Sequence, residues 1–512
     1  NISFTHLDKL DGIRNWRQIT VPSCWEAEFE DLVNYDGVAW YRRTLEIPAE
    51  WLQIAHNGKS RIIVHFDAVD YFARVWLNEY LLGEHEGGYL PFEFEIGAEA
   101  LTALGVTEPS TSLTLTVQVI DPTDDRLHFP HYPMDEIPCG KQRWYINVGG
   151  IWQSVWLEHR PHIYVRNVHI TPNDNLNGIN VRVWLNHAPD VNLQGECIII
   201  SPDGNECVRE VVSVEAGCTS FDFYVTIPAP QLWHPECPNL YKLRIELTNG
   251  DAYETAFGLR TVTTCGGCVY LNGEPIYLIG ALDQDFYPDT IYRAPSDAYI
   301  EEQFKLAKQM GLNLLRCHIK IPERRYLDCA DRIGLLIWYE VPSWWRFGER
   351  AKLRIRKHIQ GMVERDYNHP SLIAYSIVNE SWGVRLAEQE LHRQWLVEMV
   401  NWLKQLDPTR LVIDNSPCRG NFHIKTDIND FHVYYNSPDH DAEFVQWVCD
   451  FDSRPEWTFS PHGDAAPKGD EPLIVSEFGL WGLPDIEALI NHYGGKPWWF
   501  ATGSDACRPE GV

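Results

Sequence analysis

At Cys265 the hydrophobic pattern of this 512-residue chain changes period. Before that point apolar and polar residues alternate in short runs, which suits strands with one buried face. "RIIVHFDAV", "FARVWLN", "PFEFEI" and "SLTLTVQVI" lie close together, separated by turn signals at Asn78-Glu79, Gly87-Gly88 and Asp121-Pro122. Many short strands without a helical pattern predict a β-sandwich over residues 1–160. The alternation continues through "YVRNVHITP", "INVRVWLN", "ECIIISP", "SFDFYVTIP" and "YKLRIELTNG". This second block, residues 161–262, has the roughly 100-residue length of an immunoglobulin-type sandwich, and nothing in it requires a disulfide.

After Cys265 the pattern is different. "CVYLNGEPIYLIG" reads as a hairpin turning at Asn272-Gly273. In "SDAYIEEQFKLAKQMG", Ser296 is an N-cap candidate, Ile300, Phe304 and Ala307 share one face, and Gly311 stops the helix. The strand "LNLLRCH" follows, then "ERRYLDCADRIG" with Gly334, then "LLIWYEV". Successive helix–glycine–strand units predict a parallel β/α domain. "PIYLIGA", "LIAYSIV", "RLVIDNS", "DFHVYY" and "PLIVSEF" bring the strand candidates to seven. An eight-stranded β/α barrel needs about 250 residues. Residues 263–512 have that length, but "GKPWWFATG" is a poor eighth strand, so the barrel is expected to be truncated before its last strand. The fold class is therefore multidomain, β plus α/β.

The net charge of -29, with no basic stripe, argues against a nucleic-acid partner. The one dense basic segment, "RAKLRIRKH" at 350–358, has helical spacing and is expected to be a solvated helix face. Apolar runs are strand-sized, so no membrane partner is expected. Thirteen cysteines at irregular spacing suggest free, mostly buried thiols and a cytoplasmic location; the chain begins at Asn1 rather than Met, which leaves a leader sequence open. Cys265-Gly-Gly-Cys268 is an isolated pair and is expected to flank a hairpin rather than bind zinc.

In a β/α barrel the active site lies at the C-terminal ends of the strands. Those ends carry Asp283 and Asp285, Arg316 and His318, Glu340 and Trp344, Asn379 and Glu380, Asp414 and Asn415, His432 and Tyr434, and Glu477. The set contains no phosphate-binding glycine loop and no serine elbow. Glu380 and Glu477 each end an apolar run, on strands that face each other across a barrel mouth. A carboxylate there is costly unless solvent or a partner meets it. Two such carboxylates flanking one bond suit glycoside hydrolysis, in which one protonates the leaving oxygen while the other attacks the anomeric carbon or activates water. His318 and His432 with nearby acids offer a cation site, but no HxH or HExxH spacing supports it, and neither a metal nor another cofactor is expected.

"RDYNHPSLIAYSIVNES" and "PLIVSEFG" resemble the acid/base and nucleophile segments of glycoside hydrolase family 2, the family of β-galactosidases, β-glucuronidases and β-mannosidases. "VPSCWE", "WYRRTLEIP", "VWLNEYLLGEHEGGYLPFEFEI" and "GKQRWYINVGGIWQSVWLE" resemble its jelly-roll domain. "LWHPECPNLYKL" and "FGLRTV" resemble the exit from its immunoglobulin-like domain, so the resemblance spans essentially the whole chain. It implies a jelly-roll sandwich, an immunoglobulin-like sandwich and a TIM barrel. It also implies a retaining exo-β-glycosidase acting on a carbohydrate, with β-galactosides or β-glucuronides as the leading substrates. Glu477 would be the nucleophile and Glu380 the acid/base. A general acid must hold its proton near neutral pH, and a partly dry pocket beside a second carboxylate works in that direction. Asn379 would bind the sugar 2-hydroxyl, Tyr434 would orient the nucleophile, and Arg316 and His318 would support and line the pocket. Trp344, Trp345, Trp382 and Trp481 follow strand ends and offer faces for stacking on a sugar, against the alternative of loop packing. The family's Asn-x-Lys glucuronidase signature is replaced here by Gly494-Gly495-Lys496, and "RCHIKIP" differs from the glucuronidase-like "SHYP". Family analogy also points to a homo-oligomer. The competing readings are a non-catalytic or impaired carbohydrate-binding relative and a metal-dependent hydrolase.

Overall fold

The computed structural model describes residues 10, 15–105, 112–435, 438–479 and 486–495. In the first domain a four-stranded antiparallel sheet, in the order Gly37–Leu45, Leu113–Asp121, Phe72–Leu77, Tyr80–Glu86, faces a three-stranded sheet of Phe92–Ile96, Ser60–Phe66 and Val155–Pro161. The alternating residues Val64, Phe66, Val75, Val117 and Val119 meet between the sheets with Trp25. The second domain repeats the arrangement. Glu206–Val214, Leu193–Ile200, Tyr241–Leu247 and Ala252–Phe257 form one sheet, and Ser220–Thr226, Gly178–Leu185 and Val165–Pro172 the other. All described cysteines are free thiols. They are not mostly buried: Cys218, Cys237, Cys265, Cys268 and Cys449 are exposed. Cys265 and Cys268 pair across a hairpin turn.

The third domain alternates strand and helix: β1 (Gly280–Asp283), α1 (Asp297–Gln309), β2 (Leu314–Cys317), α2 (Arg324–Ile333), β3 (Leu336–Glu340), α3 (Glu349–Asp366), β4 (Leu372–Asn379), α4 (Glu390–Leu406), β5 (Leu411–Ser416), β6 (Asn429–His432), α5 (Asp441–Asp452), β7 (Leu473–Glu477) and α6 (Ile486–Tyr493). The Ser296 side chain caps α1 by accepting from Tyr299 N at 3.1 Å, and Ile300, Phe304 and Ala307 are its buried face. Gly334 closes α2 at φ 76°, a left-handed conformation that glycine adopts without a side-chain clash. β1 to β5 form one parallel sheet, and β6 and β7 pair in parallel beside it. The His432 N–H donates to Pro417 O at 2.8 Å and ties β6 to the end of β5. Residues 496–512, which include most of the doubtful eighth-strand segment, lie outside the described residues. No helix among the described residues is long and apolar enough to cross a membrane.

The basic segment at 350–358 is not a solvated face throughout. Arg354 is buried, pairs with Glu86 and donates to His131 O at 2.8 Å; Lys357 donates to Glu86 O at 2.7 Å, and His358 is buried. One side of α3 thus docks on the first sandwich. The charges that looked solvated satisfy carbonyls and a carboxylate of another domain, a partnership that local periodicity does not encode.

Candidate active site

The strand tips converge on one guanidinium. Arg316, at the end of β2, donates from Nε to Glu340 Oε1 at 2.9 Å, from Nη2 to Asn379 Oδ1 at 2.9 Å and from Nη1 to Glu477 Oε1 at 2.9 Å. Its plane lies over the Trp338 ring, 4.9 Å from the centroid, which gives the charge an aromatic floor. Arg316 is 3% exposed and Glu340 1%, so neither charge has bulk water to solvate it. Such charges survive in a protein interior only when paired and fully hydrogen-bonded. Glu340 meets that requirement, since it also faces His318 Nδ1 at 2.8 Å and accepts from Ile319 N at 2.8 Å. Burial pushes the Glu340 carboxyl up, but Arg316 and His318 outweigh it and hold the group far below the usual carboxylate range. Burial also opposes the Arg316 charge, and Glu340 and Glu477 overcome it.

Glu477 ends β7, 9% exposed. Its Oε1 takes the Arg316 bond, and its Oε2 accepts from the Tyr434 hydroxyl. Burial raises this carboxyl, while Arg316, His432, His318 and the Tyr434 bond together bring it below its ordinary value. The result is an ionised, immobilised carboxylate.

Glu380 follows β4 in an unusual backbone. Glu380 and Ser381 both have positive φ, 49° and 59°, a conformation that costs a non-glycine residue about 1–3 kcal/mol. The surroundings hold it there. Glu380 N donates to Ser416 O at 2.8 Å, Ser381 N to Asn415 Oδ1 at 2.9 Å, and Asn421 Nδ2 to Glu380 O at 3.1 Å. The turn aims the Glu380 side chain across the mouth, where its Oε1 meets His432 Nδ1 at 2.8 Å. His432 Nε2 lies 2.9 Å from Ser416 Oγ and 3.2 Å from Arg316 Nη1, so the ring bridges the Arg316 cluster and Glu380. Carboxylate oxygens of Glu380 and Glu477 lie within 4.8 Å of each other. These two with His432 are the only group of three or more acids, histidines or cysteines among the described residues that is close enough to hold a cation. Arg316 already places positive charge 2.9 Å from Glu477, so a second cation would meet repulsion there.

The structure thus brings together Arg316, His318, Asn379, Glu380, His432, Tyr434 and Glu477. Trp382 lies edge-on to His318, with ring centroids 6.3 Å apart. Asp283 turns elsewhere: it accepts from the Tyr326 hydroxyl at 2.8 Å and from Asp285 N at 2.8 Å. Trp344 is a correction. It is fully buried and packs edge-on against Trp395 at 5.9 Å, so it offers no face to a sugar; its neighbour Trp345 is the exposed indole of that loop. Trp481 lies outside the described residues. Sequence reasoning gave Glu340 no role, although its position at a strand end was visible. Ser416 and Asp430, whose side chains bond each other under His432, were missed, because short polar residues at strand ends carry no distinctive spacing.

Three sequence profiles match in succession: "Glycosyl hydrolases family 2, sugar binding domain" over residues 13–161, "Glycosyl hydrolases family 2" over 163–260, and "Glycosyl hydrolases family 2, TIM barrel domain" over 262–484. The chain is 26% identical to a β-galactosidase of Thermoanaerobacterium thermosulfurigenes, over 79% of this chain and 54% of that one. It is 27% identical to the Rattus norvegicus β-glucuronidase, over 75% of this chain and 59% of the other. It therefore spans little more than half the length of these relatives. Among solved structures, a Parabacteroides merdae β-glucuronidase superposes with a TM-score of 0.74 at 19% identity, covering 92% of this chain and 57% of that one. An Eisenbergiella tayi family 2 β-galacturonidase bound to galacturonate gives 0.70 at 22% identity, covering 93% and 80%. With its sandwich, immunoglobulin-like and barrel segments each matched by the corresponding profile of one family, the chain belongs to glycoside hydrolase family 2.

Proposed function

We propose that this chain is a retaining exo-β-glycosidase that hydrolyses terminal β-linked sugars by double displacement. The observation that carries the reading is the approach of Glu380 and Glu477 to within 4.8 Å at the barrel mouth. Carboxyl groups about 5–5.5 Å apart suit retention, whereas inversion leaves room for a water at about 6.5–9.5 Å. Glu477, ionised and fixed by Arg316 and Tyr434, attacks the anomeric carbon and forms a glycosyl–enzyme ester. Glu380 donates its proton to the departing oxygen, then takes one from the water that cleaves the ester. Asn379, oriented by Arg316 Nη2, offers its amide to the sugar 2-hydroxyl. The names of the similar proteins, β-galactosidases, β-glucuronidases and a β-galacturonidase, support a hexoside or hexuronide as substrate.

The test is hydrolysis of a panel of aryl β-glycosides (galactoside, glucuronide, galacturonide, mannoside and glucoside) by the wild type and by Glu477→Ala. The reading expects release from at least one substrate by the wild type and none by the variant. Equal turnover by both proteins would remove Glu477 from the reaction, and none by the wild type would leave a carbohydrate-binding role in its place.

A further inference from the structure

The two glutamates at the mouth are held by different kinds of partner. Glu477 is fixed by groups that donate to it: Arg316 Nη1 bonds one oxygen at 2.9 Å, and the Tyr434 hydroxyl bonds the other. Both favour a carboxylate, which suits a nucleophile. Glu380 is held otherwise. Among the described residues its ion-pair partner is His432, whose Nδ1 stands 2.8 Å from Glu380 Oε1. The Cys418 thiol also faces Glu380; burial and the Glu380 charge push that thiol up to about 11, so it stays neutral at neutral pH. The His432 side chain is fully enclosed. Its Nε2 stands between two acceptors, Ser416 Oγ at 2.9 Å and Glu477 Oε1 at 3.3 Å, and one donor, Arg316 Nη1 at 3.2 Å. The Ser416 hydroxyl is itself donated to Asp430 Oδ2, which also accepts from Ser476 Oγ at 2.5 Å. Ser416 ends β5, Asp430 lies on β6, and Ser476 precedes Glu477 on β7, so three strands seat the ring.

We propose that His432 is a positioning residue for the acid/base, holding the Glu380 carboxyl in one place on the leaving-group side through both halves of the double displacement. The inference rests on the glycosidase reading and adds the group that lets Glu380 serve in it. A general acid/base changes state within one turnover. Glu380 gives its proton to the departing oxygen as the bond from that oxygen to the anomeric carbon breaks and Glu477 bonds the carbon. It takes a proton from water as the water oxygen bonds the anomeric carbon and the ester to Glu477 breaks. A guanidinium would hold only the carboxylate form. An imidazole accepts as well as donates. With its proton on Nε2, toward Ser416 Oγ and Glu477 Oε1, the ring accepts at Nδ1 from protonated Glu380. With its proton on Nδ1, it donates to the Glu380 carboxylate, and Nε2 accepts from Arg316 Nη1. The surroundings serve both tautomers, so the bond to Glu380 survives both of its states. The Glu380 side chain is 20% exposed and needs such a hold to face one bond of the substrate.

The test is how the loss of activity depends on the leaving group. The variants are His432→Leu, His432→Asn and Ser416→Ala, and the substrates are the dinitrophenyl, nitrophenyl and phenyl β-glycosides of the sugar that the wild type releases. Dinitrophenolate departs without a proton, whereas phenolate needs one in the transition state. His432→Leu is expected to lower kcat/KM on the phenyl glycoside about a hundredfold or more, and on the dinitrophenyl glycoside less than about tenfold. His432→Asn, whose amide keeps a donor and an acceptor near the place of Nδ1, recovers part of the loss. Ser416→Ala removes the seat of the ring and gives the same dependence in weaker form. Equal losses on all three leaving groups, or no loss, overturn the proposal, because a residue that only supports the fold acts on every substrate alike. If His432→Leu does not fold, His432→Asn and Ser416→Ala decide by the same criterion. A wild type that turns over no glycoside defeats the glycosidase reading instead. Crystal structures of the wild type and of the folded His432 variants then decide the placement: the proposal requires the Glu380 carboxyl to leave its position while Glu477 keeps its own, and an unmoved Glu380 overturns it.

Discussion

The barrel carries a buried charged cluster at each end, and the two differ in how they finish. At the N-terminal end Arg410 donates to Asp407 Oδ2 at 2.9 Å and to His369 O at 2.7 Å, while Arg260, arriving from the second domain, donates to Pro370 O, Thr409 O and Leu372 O. Tyr375 and Thr409 donate to the remaining Asp407 acceptors. Every charge there is enclosed by protein. At the C-terminal end the Arg316 cluster is equally buried at its centre, but it leads through His432 and Tyr434 to two carboxylates at the mouth, and the Glu380 side chain is 20% exposed. The same residue types therefore make an enclosed domain clamp at one end and an edge open to solvent at the other. The distinguishing sign is a chain of paired charges left open toward solvent, not perturbed acids as such, because Asp366 at the closed end is also held below its ordinary range: burial opposes its ionisation and Arg365 overcomes it.

Substitutions can break this contrast. Glu477→Ala should lower kcat at least about 10⁴-fold with a smaller loss of thermal midpoint than Arg410→Met, because Arg316 keeps Glu340 and Asn379, as read by kinetics and calorimetry. Arg410→Met should do the reverse. Removing one partner of a buried pair costs about 3–5 kcal/mol in denaturant unfolding, and the folded fraction should keep its turnover number. The adjacent indoles sharpen the distinction between packing and site: Trp344→Ala should cost about 3–5 kcal/mol of stability, and Trp345→Ala less than about 0.5 kcal/mol. An effect on turnover smaller than that of Glu477→Ala is expected from Tyr434→Phe. It removes a donor to Glu477, so that carboxyl moves up toward its ordinary value and the acid limb of the kcat/KM profile shifts to higher pH, with kcat down about tenfold.

Both ends should weaken together in acid. Glu340, Glu477 and Asp366 have folded-state pKa values below their unfolded ones. The stability they contribute is complete above about pH 4, where the unfolded groups titrate, and is lost progressively as the pH falls toward the folded values. Thermal unfolding from pH 7 to pH 3 measures it.

The sequence was legible wherever a property is local. The Ser296 cap, the buried face of Ile300, Phe304 and Ala307, the Gly334 stop and the strand-end positions of Glu380 and Glu477 each follow from a few neighbouring residues. What was not legible depends on a partner distant in sequence. Two tryptophans in a row at 344 and 345 cannot both face inward, but which one does is set by Trp395 on α4. Arg354 reads as a surface residue until Glu86 of the first sandwich is brought against it. Trp144 belongs to the first domain, and only docking stacks it on Trp382 of the barrel. Glu340 was visible as a strand-end acid, yet its work, holding Arg316 and His318, appears only when β2 and β3 are side by side.

The central claim is that Glu380 and Glu477 act as acid/base and nucleophile of a retaining reaction. Proton NMR of the reaction, recorded before mutarotation equilibrates the product, tests it most directly. The account predicts that the first sugar released is the β-anomer. An α-anomer appearing first would contradict it, because a water would then have attacked directly from the face opposite the leaving group.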